Sequence, residues 1–401
     1  MVDQLVVVGG SLSGLRAAES LLAAGFPGTV TVIGEEPEQP YNRPALSKQA
    51  LTQAEAYELE LFRRKPSWDR IQWRLGRAVV GAAIGDGQLD LADGEQIPFD
   101  GLVVATGLRP RRLAAPGPAA GRYVLRTAGD SRALRRVLSP GARVVVVGGG
   151  FLGCEVAASA SVRGSDVTLV IPQRRPLEQH LGGELADVVA RRHARHGVQI
   201  RTEQAVVGLR GEDRVEGVVL GSGDVLAADV VVEAVGSKPN VDWLAGNGLD
   251  LEDGVLCDNS LRAVGGDRVV AVGDVARFPH PLYGDRPRRI EHWNMVPETA
   301  KRAAHSLVAE MGYGSAPDKP FVPIPSFWTD QYDLRLQAFG NPASGLHDTR
   351  VLHEGPDHEL VVGYHLDGTL VGVAGLGAVK SLLPHRAELV ARADALQAVA
   401  A

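Results

Sequence analysis

The sequence predicts an α/β protein in three parts: two βαβ-type units interleaved along the chain, and a smaller C-terminal α+β part. Three observations predict it. The order strand, glycine turn, helix, strand occurs twice, at residues 4–33 and 143–171. Two apolar strands, 102–107 and 230–236, each reach a proline, Pro110 or Pro239, within three residues. A proline-rich stretch, 317–325, then precedes alternating strands and a final Ala/Leu helix.

In the first unit, residues 4–8 form the strand, Gly9 to Gly14 the turn, a helix continues through Ala24, and residues 29–33 form the second strand. The turn reads Gly9-x-Ser11-x-x-Gly14, so a serine replaces the middle glycine that lets backbone approach a pyrophosphate. Glu35 follows the second strand, where a carboxylate can accept hydrogen bonds from an adenosine ribose; the adjacent Glu36 competes for that role.

The second unit repeats this pattern with a complete fingerprint, Gly148-x-Gly150-x-x-Gly153, between strand 143–147 and an Ala-rich helix through Val162, before strand 166–171. Two Rossmann-like units imply two dinucleotides, because each supplies one helix N-terminus for one pyrophosphate. A bound prosthetic dinucleotide and a diffusing one are the natural pair. Glu155 reads as lying on the first turn of the second helix, where the helix dipole favours a carboxylate, and Cys154 as a small packing residue.

The segments 102–107 and 230–236 resemble each other and mark where the chain changes domain. A strand at 269–274 and a helix around 297–311 follow, then strands 334–339 and 360–364 beyond the linker. The division expected is 1–108 with 238–316 for the first dinucleotide domain, 109–237 for the second, and 317–401 for the α+β domain.

At 401 residues the chain exceeds what one core usually organises. With 45% hydrophobic and 22% charged residues it reads as globular, and a net charge of −6 argues against a general grip on nucleic acid. Its two cysteines, Cys154 and Cys257, form neither a disulfide framework nor a metal cluster, which fits a reducing interior. The apolar stretch Leu5 to Val8 is too short for a signal peptide, and no apolar run approaches the roughly 20 residues of a membrane span. A cytoplasmic protein without metal or membrane contact is expected.

Several segments are together distinctive: Pro40-Tyr41-Asn42-Arg43-Pro44-Ala45-Leu46-Ser47-Lys48, Ala105-Thr106-Gly107, Leu125-Arg126-Thr127, Gly148 to Glu155, Ala271 to Ala276, Arg289-Ile290-Glu291-His292-Trp293, and Ser326 to Leu334. With them, essentially the whole chain resembles the FAD-dependent ferredoxin reductases of the putidaredoxin reductase type. These serve haem-thiolate monooxygenases and ring-hydroxylating dioxygenases and are related to rubredoxin reductases and apoptosis-inducing factor.

The resemblance implies a glutathione-reductase-like architecture. It implies an FAD site from Gly9, Ser11, Gly14, Glu35, Arg43, Lys48, Ala105, Arg126, Asp274, Glu291, Trp293 and Trp328, and an NAD(P)H site from Gly148, Gly150, Gly153, Glu155 and Gly236, to which the sequence itself adds Arg174 and Arg175. Within these, Asp274 would bond the ribityl chain, Lys48 and Glu155 would meet near flavin N5, and Trp293 and Trp328 would approach the isoalloxazine edge; Lys48, Glu155 and Trp328 are the catalytic candidates. A hydride would pass from nicotinamide to flavin, and electrons would leave singly to a [2Fe-2S] ferredoxin, whose cluster this cysteine-poor chain cannot hold itself. A flavin-disulfide or peroxide reductase lacks its redox cysteine here, and an NADH-sensing scaffold is the non-enzymatic alternative. Arg63, Arg64, Lys65, Arg302, Arg335 and Lys380 are candidate cations for an acidic partner.

In one place the sequence departs from that family. NADH-specific members end the second strand of this domain with a glutamate for the ribose, but Ile171 occupies the position, and Gln173-Arg174-Arg175 follow. Arg174 or Arg175 offers a planar fork for a 2′-phosphate, so relaxed selectivity is expected, with NADPH used at least as well as NADH.

Overall fold

In the computed structural model, which describes residues 3–53, 57–284, 286–356, 359–377 and 379–399, two five-stranded sheets repeat one plan. The first orders the strands Val269–Ala271, Gly101–Val104, Leu5–Val8, Val30–Gly34 and Ile71–Leu75. The second orders Arg122–Tyr123, Val230–Glu233, Arg143–Val147, Asp166–Val170 and Gln199–Arg201. Every neighbouring pair in both sheets is parallel. The registers match: Val8 pairs with Ile33 and Val104, and Val147 pairs with Val170 and Glu233. Helices and small sheets cover both faces, which is why the central strands read as unbroken Val and Leu rather than alternating with polar residues.

The first sheet receives its strand Val269–Ala271 only after the second sheet is complete. The outgoing strand Leu108–Pro110 and the returning strand Ser237–Pro239 lie side by side, paired antiparallel. Helix Met295–Glu310 packs on helix Leu12–Ala23 and closes that face of the first unit.

A five-stranded antiparallel sheet, ordered Ser326–Gln331, Leu334–Gly340, Thr369–Leu376, Leu360–Leu366 and Thr349–Glu354, forms the third part, with helix Val379–Val399 against it. Its core is continuous with that of the second unit: Leu336, Tyr364 and Leu376 share one buried cluster with Val156, Leu169 and Leu181. Tyr364 also donates from its hydroxyl to the Leu181 carbonyl at 2.7 Å. This seam brings the strand Ser326–Gln331 against helix Phe151–Val162.

Strand Ile71–Leu75 and two three-stranded antiparallel sheets, Val79–Ala83 with Gln88–Leu91 and Gln96–Pro98, and Val206–Arg210 with Gly217–Leu220 and Val225–Ala227, have no counterpart in the sequence reading. Their residues are mostly half-buried and carry no strong period. Among the described residues no helix is long and apolar enough to cross a membrane.

Candidate active site

The two glycine turns are the same object built twice. Gly9 has φ +126° and Gly148 φ +114°, and a Cβ on either would stand 2.2 Å from a carbonyl oxygen, that of Ala105 or of Ala234. A Cβ on Gly14 would lie 1.8 Å from the Gly9 oxygen, and one on Gly153 1.9 Å from the Gly148 oxygen. The outer glycines are therefore steric requirements. The middle position is not, because a Cβ on Gly150 meets nothing within 4 Å. Its counterpart Ser11 caps helix Leu12–Ala23 from extended backbone without using its hydroxyl for the cap. Each turn ends at a helix N-terminus with backbone donors facing outward.

Past strand Val30–Gly34, Glu35 is exposed, whereas Glu36 is engaged by the Tyr41 hydroxyl at 2.6 Å and the Arg43 guanidinium at 2.7 Å. Those contacts hold the Glu36 carboxyl below its usual range against the opposing effect of burial. Arg43 also donates to the Arg126 carbonyl.

A cavity of about 620 Å³ opens beside the first turn, lined by Ser11, Arg43, Lys48, Arg126, Glu155, Asp274, Glu291, Trp293 and Trp328, among others. Lys48 Nζ lies 2.8 Å from Glu155 Oε1. The nearly buried Glu155 carboxylate also accepts from Ser47 Oγ at 2.5 Å and from Thr329 Oγ1 at 2.7 Å, so three parts of the chain meet on it. Glu155 is the fifth residue of helix Phe151–Val162, past its first turn, which corrects the sequence reading: these partners, not the helix dipole, hold it.

Arg126 Nη2 approaches Asp274 Oδ2 to 3.9 Å; burial pushes the Asp274 carboxyl up and the Arg126 guanidinium down. Glu291 pairs with Arg289 at 2.5 Å. Trp293 and Trp328 meet edge to face with centroids 5.8 Å apart, and the buried Trp293 Nε1 has no acceptor.

A second cavity, about 650 Å³, is lined by Gly148, Gly150, Gly153 and Gly236, and also by Gln173 and Arg175. Arg126, Phe151, Asp274 and Glu291 line both cavities, so the two meet there. Ile171 is fully buried and Pro172 follows it; by register these match Gly34 and Glu35, so neither strand-end position carries a carboxylate here. Arg174 lies outside this lining, exposed and 3.5 Å from Glu203. Arg175 does line it, but is held by Glu178 at 2.8 Å and by Asp187.

Ser47, Thr329, Phe151 and Glu233 belong to the site and carried no weight in the sequence reading. Ser47 and Thr329 sit inside the quoted motifs. Glu233 is a buried carboxylate ending the strand Val230–Glu233, paired with Arg122 at 2.5 Å; a lone acid in an apolar run was its signal. Among the candidate surface cations, Arg63, Arg64, Lys65, Arg335 and Lys380 are exposed. Arg302 is half-buried, with its guanidinium 5.9 Å over Phe321 and 3.3 Å from the Ser260 hydroxyl.

Residues 3–305 match the family described as pyridine nucleotide-disulphide oxidoreductase, and residues 326–401 match that described as reductase C-terminal. Rhodocoxin reductase of Rhodococcus erythropolis is 34% identical over 92% of this chain and 85% of its own. The ferredoxin–NAD(+) reductase component of the anthranilate 1,2-dioxygenase system of Burkholderia cepacia is 35% identical over 95% and 94%. The crystal structure of a covalent putidaredoxin reductase–putidaredoxin complex superposes with a TM-score of 0.86 at 30% identity, covering 96% of this chain and 93% of that one.

Proposed function

This chain belongs to the pyridine nucleotide-disulphide oxidoreductase family, and from that premise we propose how its residues divide the work. It is an FAD-dependent NAD(P)H:ferredoxin oxidoreductase of the glutathione-reductase-like architecture, feeding a small [2Fe-2S] ferredoxin that supplies a haem-thiolate monooxygenase or a ring-hydroxylating dioxygenase. The observation that carries the division of labour is the pair of glycine cradles whose cavities meet at Phe151 and Arg126.

The residues present fit FAD in the first cavity. The N-terminus of helix Leu12–Ala23 would supply donors for a pyrophosphate, Asp274 an acceptor for the ribityl hydroxyls, and the unpartnered Trp293 Nε1 a donor beside a flat ring, while Glu35, exposed outside the cavity lining, would accept from the ribose. Held there, FAD would supply the conversion of a two-electron hydride equivalent from NAD(P)H into single electrons for the partner. Lys48 would place a cation beside the flavin to favour its reduced form, and Glu155 fixes that cation's position. Gly148 to Gly153 and Gly236 would hold the nicotinamide dinucleotide in the second cavity, which Arg175 also lines. On this reading the chain divides into 1–108 with 238–316, 109–237 and 317–401, and the paired crossing strands Leu108–Pro110 and Ser237–Pro239 support its first two boundaries.

A thiol-based reaction finds little support. Cys154 and Cys257 are both buried, neither lines either of these two cavities, and burial pushes both thiols up, away from the reactive thiolate. A cytoplasmic setting suits this chemistry and these reduced cysteines. The test is reduction of cytochrome c by NAD(P)H with and without added ferredoxin. Strong ferredoxin dependence is expected; an equal rate without it, or dependence on a disulfide substrate instead, would contradict the assignment.

A further inference from the structure

A line of hydrogen bonds leads away from Glu155 through the seam between the second unit and the C-terminal sheet. Thr329 Oγ1 lies 2.7 Å from Glu155 Oε1, Gln331 Nε2 lies 3.3 Å from Thr329 Oγ1, His193 Nε2 lies 2.9 Å from Gln331 Oε1, and the Tyr332 hydroxyl lies 3.2 Å from His193 Nδ1. Thr329, Gln331 and His193 are all essentially buried. The line ends where the Tyr332 ring stacks on His196, with centroids 3.7 Å apart and planes within 8°.

The chemistry of each group gives the line a single sense. Gln331 Nε2 can only donate, so the one proton on the Thr329 hydroxyl goes onward to Glu155. Gln331 Oε1 can only accept, so His193 carries its proton on Nε2, leaving Nδ1 bare to accept from Tyr332. Every proton in the chain therefore points toward Glu155. An amide between two partners acts as a rectifier: it cannot switch roles as a hydroxyl or a carboxylate can.

We propose that Thr329, Gln331 and His193 are positioning residues that hold the Glu155 carboxylate in one rotamer and so fix the Lys48 ammonium in the first cavity. The proposal rests on the role given above to Lys48 and adds to it a dependence on the C-terminal domain. It gives the strand Ser326–Gln331 a catalytic consequence beyond its tryptophan. Alternate residues of one strand share a face, which is why Thr329 and Gln331 can pass a bond along it.

Two measurements on the holoenzyme test it. The first is the tautomer of His193, read by ¹⁵N NMR of histidine-labelled protein, with its signals identified by their loss in His193→Gln. A neutral ring protonated on Nε2 is expected; protonation on Nδ1 would overturn the proposed sense. The second compares Gln331→Glu, Thr329→Val and Thr329→Ser in stopped-flow reduction of the flavin by NAD(P)H. Glu at 331 accepts from Thr329 and draws its proton away from Glu155, and Val removes the donor. Each should lower the limiting rate about tenfold, the worth of a hydrogen bond to a charged group, while changing the apparent nucleotide affinity less than about twofold. Thr329→Ser keeps the donor and should recover most of what Thr329→Val loses. Wild-type limiting rates in both Gln331→Glu and Thr329→Val, with flavin retained, would overturn the proposal. A wild-type protein that binds no FAD would instead overturn the functional reading beneath it.

Discussion

Lys48 and Glu155 form a 2.8 Å ion pair across the boundary between the two dinucleotide-binding units, with both side chains largely withdrawn from water. Neither is placed by its neighbours in sequence. The pair exists because the segment Arg43–Ser47 and the strand Ser326–Gln331 both pack against helix Phe151–Val162. Lys48→Ala should slow the limiting rate of flavin reduction by about a hundredfold, the scale of one preorganised electrostatic partner, while FAD stays bound. Stopped-flow bleaching of the flavin band, alongside flavin content per chain, separates the two effects.

Asp274 offers the reverse trade. Burial raises its carboxyl above the ordinary range, so the charged form weakens the folded protein once the pH exceeds that raised value. Asp274→Asn should therefore raise the melting temperature of FAD-free protein at neutral pH and weaken FAD binding at the same time. Differential scanning calorimetry of apoprotein and fluorescence titration with FAD measure the two sides.

His193 and His280 are fully buried, and burial lowers each to about 4 from the usual 6.5. The unfolded chain thus binds protons that the folded one refuses between pH 6.5 and pH 4. Stability is full above that window and falls as pH drops through it, by roughly 3 kcal/mol per histidine. Melting temperature against pH should show this loss, and His280→Gln should make it shallower.

Coenzyme choice turns on Ile171, Arg174 and Arg175. No carboxylate ends the strand Asp166–Val170 to select the ribose 2′-hydroxyl, and Arg175, the one of these two arginines that lines the cavity, is held by Glu178 and Asp187. NADPH should be used at least as well as NADH. Arg175→Ala should lower kcat/KM for NADPH by about tenfold and leave NADH nearly unchanged, the loss of a charged hydrogen bond to phosphate. Arg174, exposed beside Glu203, should matter less. The ratio of efficiencies for the two nucleotides before and after each change is the measurement.

Much of this was legible in the sequence because it is local. Gly14 and Gly153 are demanded by contacts within their own turns, Gly9 and Gly148 by the backbone at Ala105 and Ala234 just past the neighbouring strand of the sheet, and the Val-rich runs by burial on both faces. What was hidden is what tertiary packing assembles: the Ser47 and Thr329 contacts to Glu155, the Arg122–Glu233 pair, and the confinement of Arg302 over Phe321. Glu155 shows the difference most clearly. Position in a helix suggested a dipole, whereas three partners from elsewhere in the chain fix where it points.

The most direct test is an anaerobic titration. The purified protein should carry one non-covalent FAD per chain, bleach fully on adding one equivalent of NADPH or NADH, and recover its oxidised spectrum on adding two equivalents of oxidised [2Fe-2S] ferredoxin. A colourless protein, a flavin identified as FMN after heat release, or a reduced flavin that ferredoxin fails to reoxidise would contradict it.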